Sequence, residues 1–148
     1  MITVRVSSED AEAIIKHPEM YADLIDDGSP DRDDFVIPPT WTNVTAYFNN
    51  EPAGFACIAP LNYVTAEIHF GVLPEYRYRA VSIGKKVIEW IWENTAFQKV
   101  IAQTHQDRVA RFTVAVGFDV EGTNRRSFSK DGELIDQTYL GVQKCHPE

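Results

Sequence analysis

The chain reads as a mixed α/β (α+β) fold: a mostly antiparallel sheet of six to seven strands with helices on both faces. Three observations predict this. Segments of period two alternate with segments of helical period, in the order β, α(α), β, β, β, α, β, α, β, β. Two strand pairs are joined by short turns at 49–52 and 130–133, which forces antiparallel neighbours. Between the two pairs, Ile83, Val87, Ile88, Ile91 and Trp92 form one apolar stripe, the face of a helix that packs on a sheet. With 148 residues, 44% of them hydrophobic, the chain has material for one core, so 1–148 is expected to be a single domain.

The elements follow in order. Residues 2–6 alternate as a strand. Ser7 and Ser8 before Glu9 and Asp10 predict a helix start, with acids where the first turn favours them. That helix carries Ala11, Ile14 and Ile15 and is expected to be interrupted near Pro18, with a further turn or two over 20–25. Residues 28–40 hold three prolines and many acids and read as a long loop. Strands at 44–48 and 53–58 form a hairpin. The next strand, 65–73, sends Ala66, Ile68, Phe70 and Val72 to one face and Thr65, Glu67, His69 and Gly71 to the other. Ser82 is expected to cap the striped helix, which is followed by a strand at 100–104. Val109, Phe112 and Val116 mark a short helix closed by Gly117, and strands at 119–128 and 135–142 end the fold.

Charge is unevenly placed. The net charge is −8, and residues 9–34, with ten acids and two bases, carry all of it. Arg77, Arg79, Lys85 and Lys86 make a local basic cluster. The acidic balance speaks against a nucleic-acid partner, and no apolar run approaches a membrane span. The N-terminus lacks the apolar core of a secretory signal, so a cytosolic protein is expected. Cys57 and Cys145 are expected to be reduced thiols, Cys57 a small strand hydrophobe. The four histidines show no metal-ligand spacing, and no metal is expected.

The segment 74–86 has the composition of an anion site. It leaves a strand and opens a helix, whose first N–H groups lack internal partners and carry partial positive charge. Ala80, Ser82 and Gly84 are small enough to let backbone approach a phosphate, while Arg77 and Arg79 supply charge. Lys85 and Lys86 point up the helix and read as surface charge.

These residues resemble the signature of the GNAT superfamily of acyl-CoA-dependent N-acyltransferases, (Q/R)xxGx(G/A). It reads here Arg77-Tyr78-Arg79-Ala80-Val81-Ser82, after Val72-Leu73-Pro74. Ala80 stands where the family has its first glycine and Ser82 at the second small position. Downstream, Phe112, Gly117 and Phe118 match the family's later segment, with Gln106 and Val109 replacing its Asn and Ala. In element order the resemblance spans nearly the whole chain. A second resemblance, to short acetyltransferase-like proteins of tailed bacteriophages, rests on Pro74, Tyr76 and Arg77, the tryptophan-bearing helix, and Gly132, Leu134, Asp136, Leu140 and Gly141.

The resemblance implies acetyl-CoA as cosubstrate and an amine of a small molecule or protein as acceptor, and leaves room for a homodimer. It places the cosubstrate between the strands 65–73 and 99–104, with backbone around Val72 on the acetyl carbonyl. Arg77, Tyr78, Arg79, Ala80, Val81, Ser82, Ile83 and Gly84 are the implied cofactor segment. Arg108 and Arg111 are candidates for the adenosine phosphate, and Phe112 for core or pantetheine wall. An attacking ammonium must first lose a proton, so Glu67 and His69, which share a strand face, are the candidate catalytic residues. The same alternation also describes a plain polar face. The tyrosine that serves the family as acid falls at Thr113, whose hydroxyl has no accessible pKa for that work. With Ala80, it admits an alternative: a catalytically inactive binding or virion-associated protein on this fold.

Overall fold

The computed structural model describes residues 1–145; His146 lies outside them. Seven strands form one sheet in the order β1-β2-β3-β4-β5-β7-β6. They are β1 (Ile2–Val6), β2 (Thr42–Phe48), β3 (Glu51–Pro60), β4 (Thr65–Val72), β5 (Lys99–Thr104), β6 (Asp119–Lys130) and β7 (Glu133–Gln143). All neighbours are antiparallel except β4 and β5. The expected mixed sheet is thus present; β2, β3, β5, β6 and β7 are longer than the alternation alone marked, while β4 ends one residue earlier.

Pleating divides the core in two. One face collects Val44 and Ala46 of β2, Ala56 and Ile58 of β3, Ala66, Ile68 and Val72 of β4, and Val100 and Leu140. On it lies helix α3 (Ala80–Asn94), through Ile83, Val87 and Ile91. Full burial of each such side chain stabilises the fold by about 1.5–3 kcal/mol. The other face presents Phe55 and Cys57 to α1 (Ser8–Ile15) and α2 (Pro18–Leu24) through Ala11, Ile14, Ile15, Met20 and Tyr21. Burial pushes the Cys57 thiol up to about 12, so it is a protonated hydrophobe rather than a nucleophile.

Two helix starts differ from the expected ones. The interruption near Pro18 is present, but α2 begins on Pro18 itself, two residues before the expected 20: its missing N–H costs nothing in a first turn, and the His17 side chain accepts from the Glu19 amide at 3.3 Å. Ser82 is not a cap. A 3-10 turn (Pro74–Arg79) runs directly into α3, so the helix starts three residues earlier, and Arg79 occupies the cap position without a side-chain bond. Ser7 caps α1 as expected, its hydroxyl accepting from the Asp10 amide at 3.3 Å.

Helix α4 (Asp107–Val116) crosses α3 at Gly84. A Cβ there would sit 2.7 Å from Val116 Cγ2 and 3.5 Å from the Phe112 ring. Val116 is stiff at χ1 and cannot swing clear. Gly84→Ala therefore loses more by overpacking, about 1–3 kcal/mol, than the roughly 1 kcal/mol it gains in helix propensity. A lowered urea midpoint with unchanged m-value is the expected outcome.

Candidate active site

Strands β4 and β5 pair at only three positions, Thr65↔Lys99, Ala66↔Val100 and Glu67↔Ile101, and then part. Leu73 N donates to Ala53 O, which sets the alternation of β4: its odd residues turn their backbone groups to β3 and its even residues to the β5 side. Beyond Glu67 that side has no strand, so Phe70 and Val72 aim their N–H groups into a gap. The gap opens into a cleft of about 450 Å³. Both sheet faces line it: Ile68, Phe70 and Val72 from one, Glu67 and His69 from the other.

On the α3–α4 side, the Phe70 and Phe112 rings stack at 5.6 Å and form an apolar wall. Ala80 borders the cleft with φ −59°, an ordinary helical value, so the missing glycine costs no strain. Its amide already donates to Arg77 O across the 3-10 turn. The Val81 and Ser82 amides follow it in the first turn of α3. Arg77 and Arg108 lie at the cleft mouth, and Asp23 of α2 stands between them, its Oδ2 3.9 Å from Arg77 and 3.5 Å from Arg108.

Of the remaining candidates, Tyr78, Arg79, Val81, Ser82, Ile83 and Arg111 stand outside the cleft lining, while Gly84 and Thr113 border it. Arg79 lies over the Phe48 ring at 5.2 Å, and Tyr78, 73% exposed, also packs its edge on Phe48. The 3-10 turn rotates both toward the β2 end of the sheet. Ile83 is fully buried in the core, and Gly84, although it borders the cleft, is needed small by α4. Arg111 is exposed on the outer side of α4, away from the lining. Thr113 is buried and donates to Val109 O at 2.7 Å, so its hydroxyl is engaged within its own helix.

On the α1–α2 side Glu67 and His69 come together, His69 Nε2 lying 4.0 Å from Glu67 Oε1. Trp41 stacks on the His69 ring at 4.8 Å and 14°. Burial pulls the His69 pKa below its ordinary 6.5, against the opposing pull of Glu67, so the imidazole is neutral near pH 7. Sequence reasoning missed Gln103, whose Nε2 donates to Glu67 Oε2 at 3.1 Å, and Asn124, whose Nδ2 donates to Gln103 Oε1 at 2.9 Å. It also missed Asp23, Trp41 and His105, which stacks on Phe128 at 4.3 Å. Periodicity on β5 would have put Gln103 and Ile101 on one face, but not at Glu67.

The α2 end is tied over this side of the cleft. The Asp27 carboxylate accepts from the Asp131 amide at 2.8 Å, the Gly132 amide at 3.0 Å and the Ser129 hydroxyl at 2.7 Å, all on the β6–β7 hairpin. These bonds, the Ser129 bond foremost, hold the carboxyl below its ordinary range. Lys130 Nζ adds a bond to Ile25 O at 3.1 Å.

No family sequence model matches the chain, and no curated protein matches it in sequence. Solved structures do match in shape. Spermidine N-acetyltransferase from Vibrio cholerae, in complex with CoA and spermine, superposes with a TM-score of 0.77 over 96% of this chain and 95% of that one, at 12% identity. An acetyltransferase of the GNAT family from Streptococcus pneumoniae superposes at 0.72 over 98% and 100%, with 15% identity. The ribosomal-protein-S18-alanine N-acetyltransferase from Escherichia coli does so at 0.71 over 100% and 97%, with 12% identity. The chain has the GNAT fold. In GNAT terms the parted strands β4 and β5 lie where the resemblance implied the cosubstrate. Among the described residues, no helix is long and apolar enough to cross a membrane.

Because His69 has a native pKa below its ordinary value, the unfolded chain binds that proton more readily. Its contribution to stability is whole above about 6.5 and is lost as pH falls. His105 is shifted the same way, by burial first and Lys130 second, with Asp23 opposing. Denaturant midpoints measured between about pH 7.5 and 5 should fall for the native sequence and fall less for His69→Gln.

Proposed function

We propose that the protein transfers an acetyl group from acetyl-CoA to a primary amine that arrives as a cation. The observation that carries this reading is the early end of the β4–β5 ladder, with Glu67 at its apex. An extended arm bearing amides, such as pantetheine, fits there as a substitute strand beside the free groups of Val72, its thioester end toward Phe70 and Glu67 and its other end toward the mouth. Arg77 and Arg108 flank the mouth where the diphosphate would lie, and the first turn of α3 adds the partial positive charge of a helix start. Structures of the same fold carry CoA with spermine and act on amines, which supports the same chemistry.

The step balances with residues of this chain. Glu67 takes a proton from the ammonium, directly or through water, and frees the nitrogen lone pair. The nitrogen attacks the thioester carbonyl carbon; the carbonyl pair moves to oxygen, where the Phe70 N–H, the gap-facing donor nearest Glu67, stabilises it. The oxyanion re-forms C=O as the C–S bond breaks and sulfur leaves with its electron pair. The nitrogen loses its second proton, and the thiolate gains one from solvent, since the Thr113 hydroxyl is engaged elsewhere. The products are an amide, CoA thiol and a proton. The cluster of acids at the N-terminal third favours a cationic acceptor. A cytosolic setting fits this chemistry, since acetyl-CoA is a cytosolic metabolite. The inactive alternative draws no support from Ala80, whose backbone is unstrained.

Calorimetry with acetyl-CoA should give micromolar binding, weakened about tenfold by each of Arg77→Ala and Arg108→Ala, and unchanged by Arg79→Ala. Thiol release with a panel of polyamines, amino acids and peptides should fall about 10²- to 10⁴-fold in Glu67→Gln, with acetyl-CoA affinity retained. Absence of acetyl-CoA binding to the native sequence would overturn the reading.

A further inference from the structure

The polar group around Glu67 has a direction. An ionised carboxylate only accepts hydrogen bonds, so Gln103 must offer it the NH₂ end of its amide. Gln103 Oε1 is then turned the other way and needs a donor, which Asn124 supplies through Nδ2. The three residues come from β4, β5 and β6, and β7 lies between the last two strands. Asn124 reaches over β7 from a place where the β6–β7 register shifts, between Asn124 and Phe128. Such a bulge re-aims side chains. Oε2 of Glu67 is thereby occupied, while Oε1 stays on the His69 side of the cleft.

We propose that Gln103 and Asn124 are positioning residues, an amide relay of fixed polarity that pins one edge of the Glu67 carboxylate and leaves the other for the acceptor amine. The part of this that concerns the amine rests on the function proposed above; the relay itself is a property of the free protein. Each link needs the one before it. A donor at 124 forces an acceptor at the near end of Gln103, and so a donor at its far end.

The test reverses the polarity. In Asn124→Asp, position 124 only accepts, so Gln103 must turn its NH₂ outward and its oxygen toward Glu67. The expected outcome is a lower denaturation midpoint, and a smaller drop in Asn124→Ala, which imposes no direction. In the Glu67→Gln background, where position 67 can donate, most of the Asn124→Asp drop should vanish, although the two positions share no hydrogen bond. In the Gln103→Leu background this coupling should disappear. An equal drop in both position-67 backgrounds overturns the relay. So does coupling that survives Gln103→Leu, since that is charge repulsion alone. With acetyl-CoA and spermine as probes, Asn124→Asp should lower kcat about tenfold and leave KM for acetyl-CoA unchanged. Relay coupling without turnover of any amine of the panel by the native sequence supports the relay and counts against the amine reading. Turnover with kcat unchanged in Asn124→Asp overturns the positioning role.

Discussion

The architecture depends on an interrupted hydrogen-bond ladder. Parallel strands β4 and β5 share three residue pairs and then diverge, leaving backbone donors and acceptors without a strand to meet. Unpaired main-chain groups in a protein interior are costly unless water or a ligand satisfies them. Everything around the gap maintains it. On one side α3 and α4 hold the Phe70–Phe112 wall, and on the other β7 takes all six residues of β5. The gap is a constraint imposed by packing on both flanks, and it is what a flat extended ligand can complete.

The two ends of the cleft differ in charge. At the mouth, Arg77 from the 3-10 turn and Arg108 from α4 converge on one carboxylate, Asp23, so the free protein neutralises its own basic site. All three side chains are substantially exposed, which makes the arrangement easy to exchange for another anion. At the inner end, Glu67 sits in a half-buried polar group with His69 under Trp41. The cleft thus offers positive charge to one part of an extended ligand and a carboxylate to another. Helix α2 links the ends: it supplies Asp23 to the mouth and, through the Asp27 turn, grips the β6–β7 hairpin.

Much of the element order was legible because it rests on local periodicity. The alternation of β4 put Glu67 and His69 on one face, and the stripe from Ile83 to Trp92 put α3 on the sheet. Helix starts were less legible at Pro18 and Ser82. Each depended on how the preceding chain enters, and a 3-10 turn before α3 carries almost no pattern of its own. That same turn decided between two arginines two positions apart. Arg77 and Arg79 are equivalent in composition, yet one faces the cleft and the other lies on Phe48.

The sequence by itself determined the layered α/β arrangement, the acidic N-terminal third and the face shared by Glu67 and His69. These are written in spacings of two to four residues. Only the tertiary structure decided where β4 and β5 part, that Asp23 lies between Arg77 and Arg108, and that Gln103 and Asn124 reach Glu67. Those contacts join residues 21 to 85 positions apart, brought together by strand order and by a bulge in β6. No local pattern encodes such distances, because the free energy that sets them belongs to the packed sheet and not to any one segment.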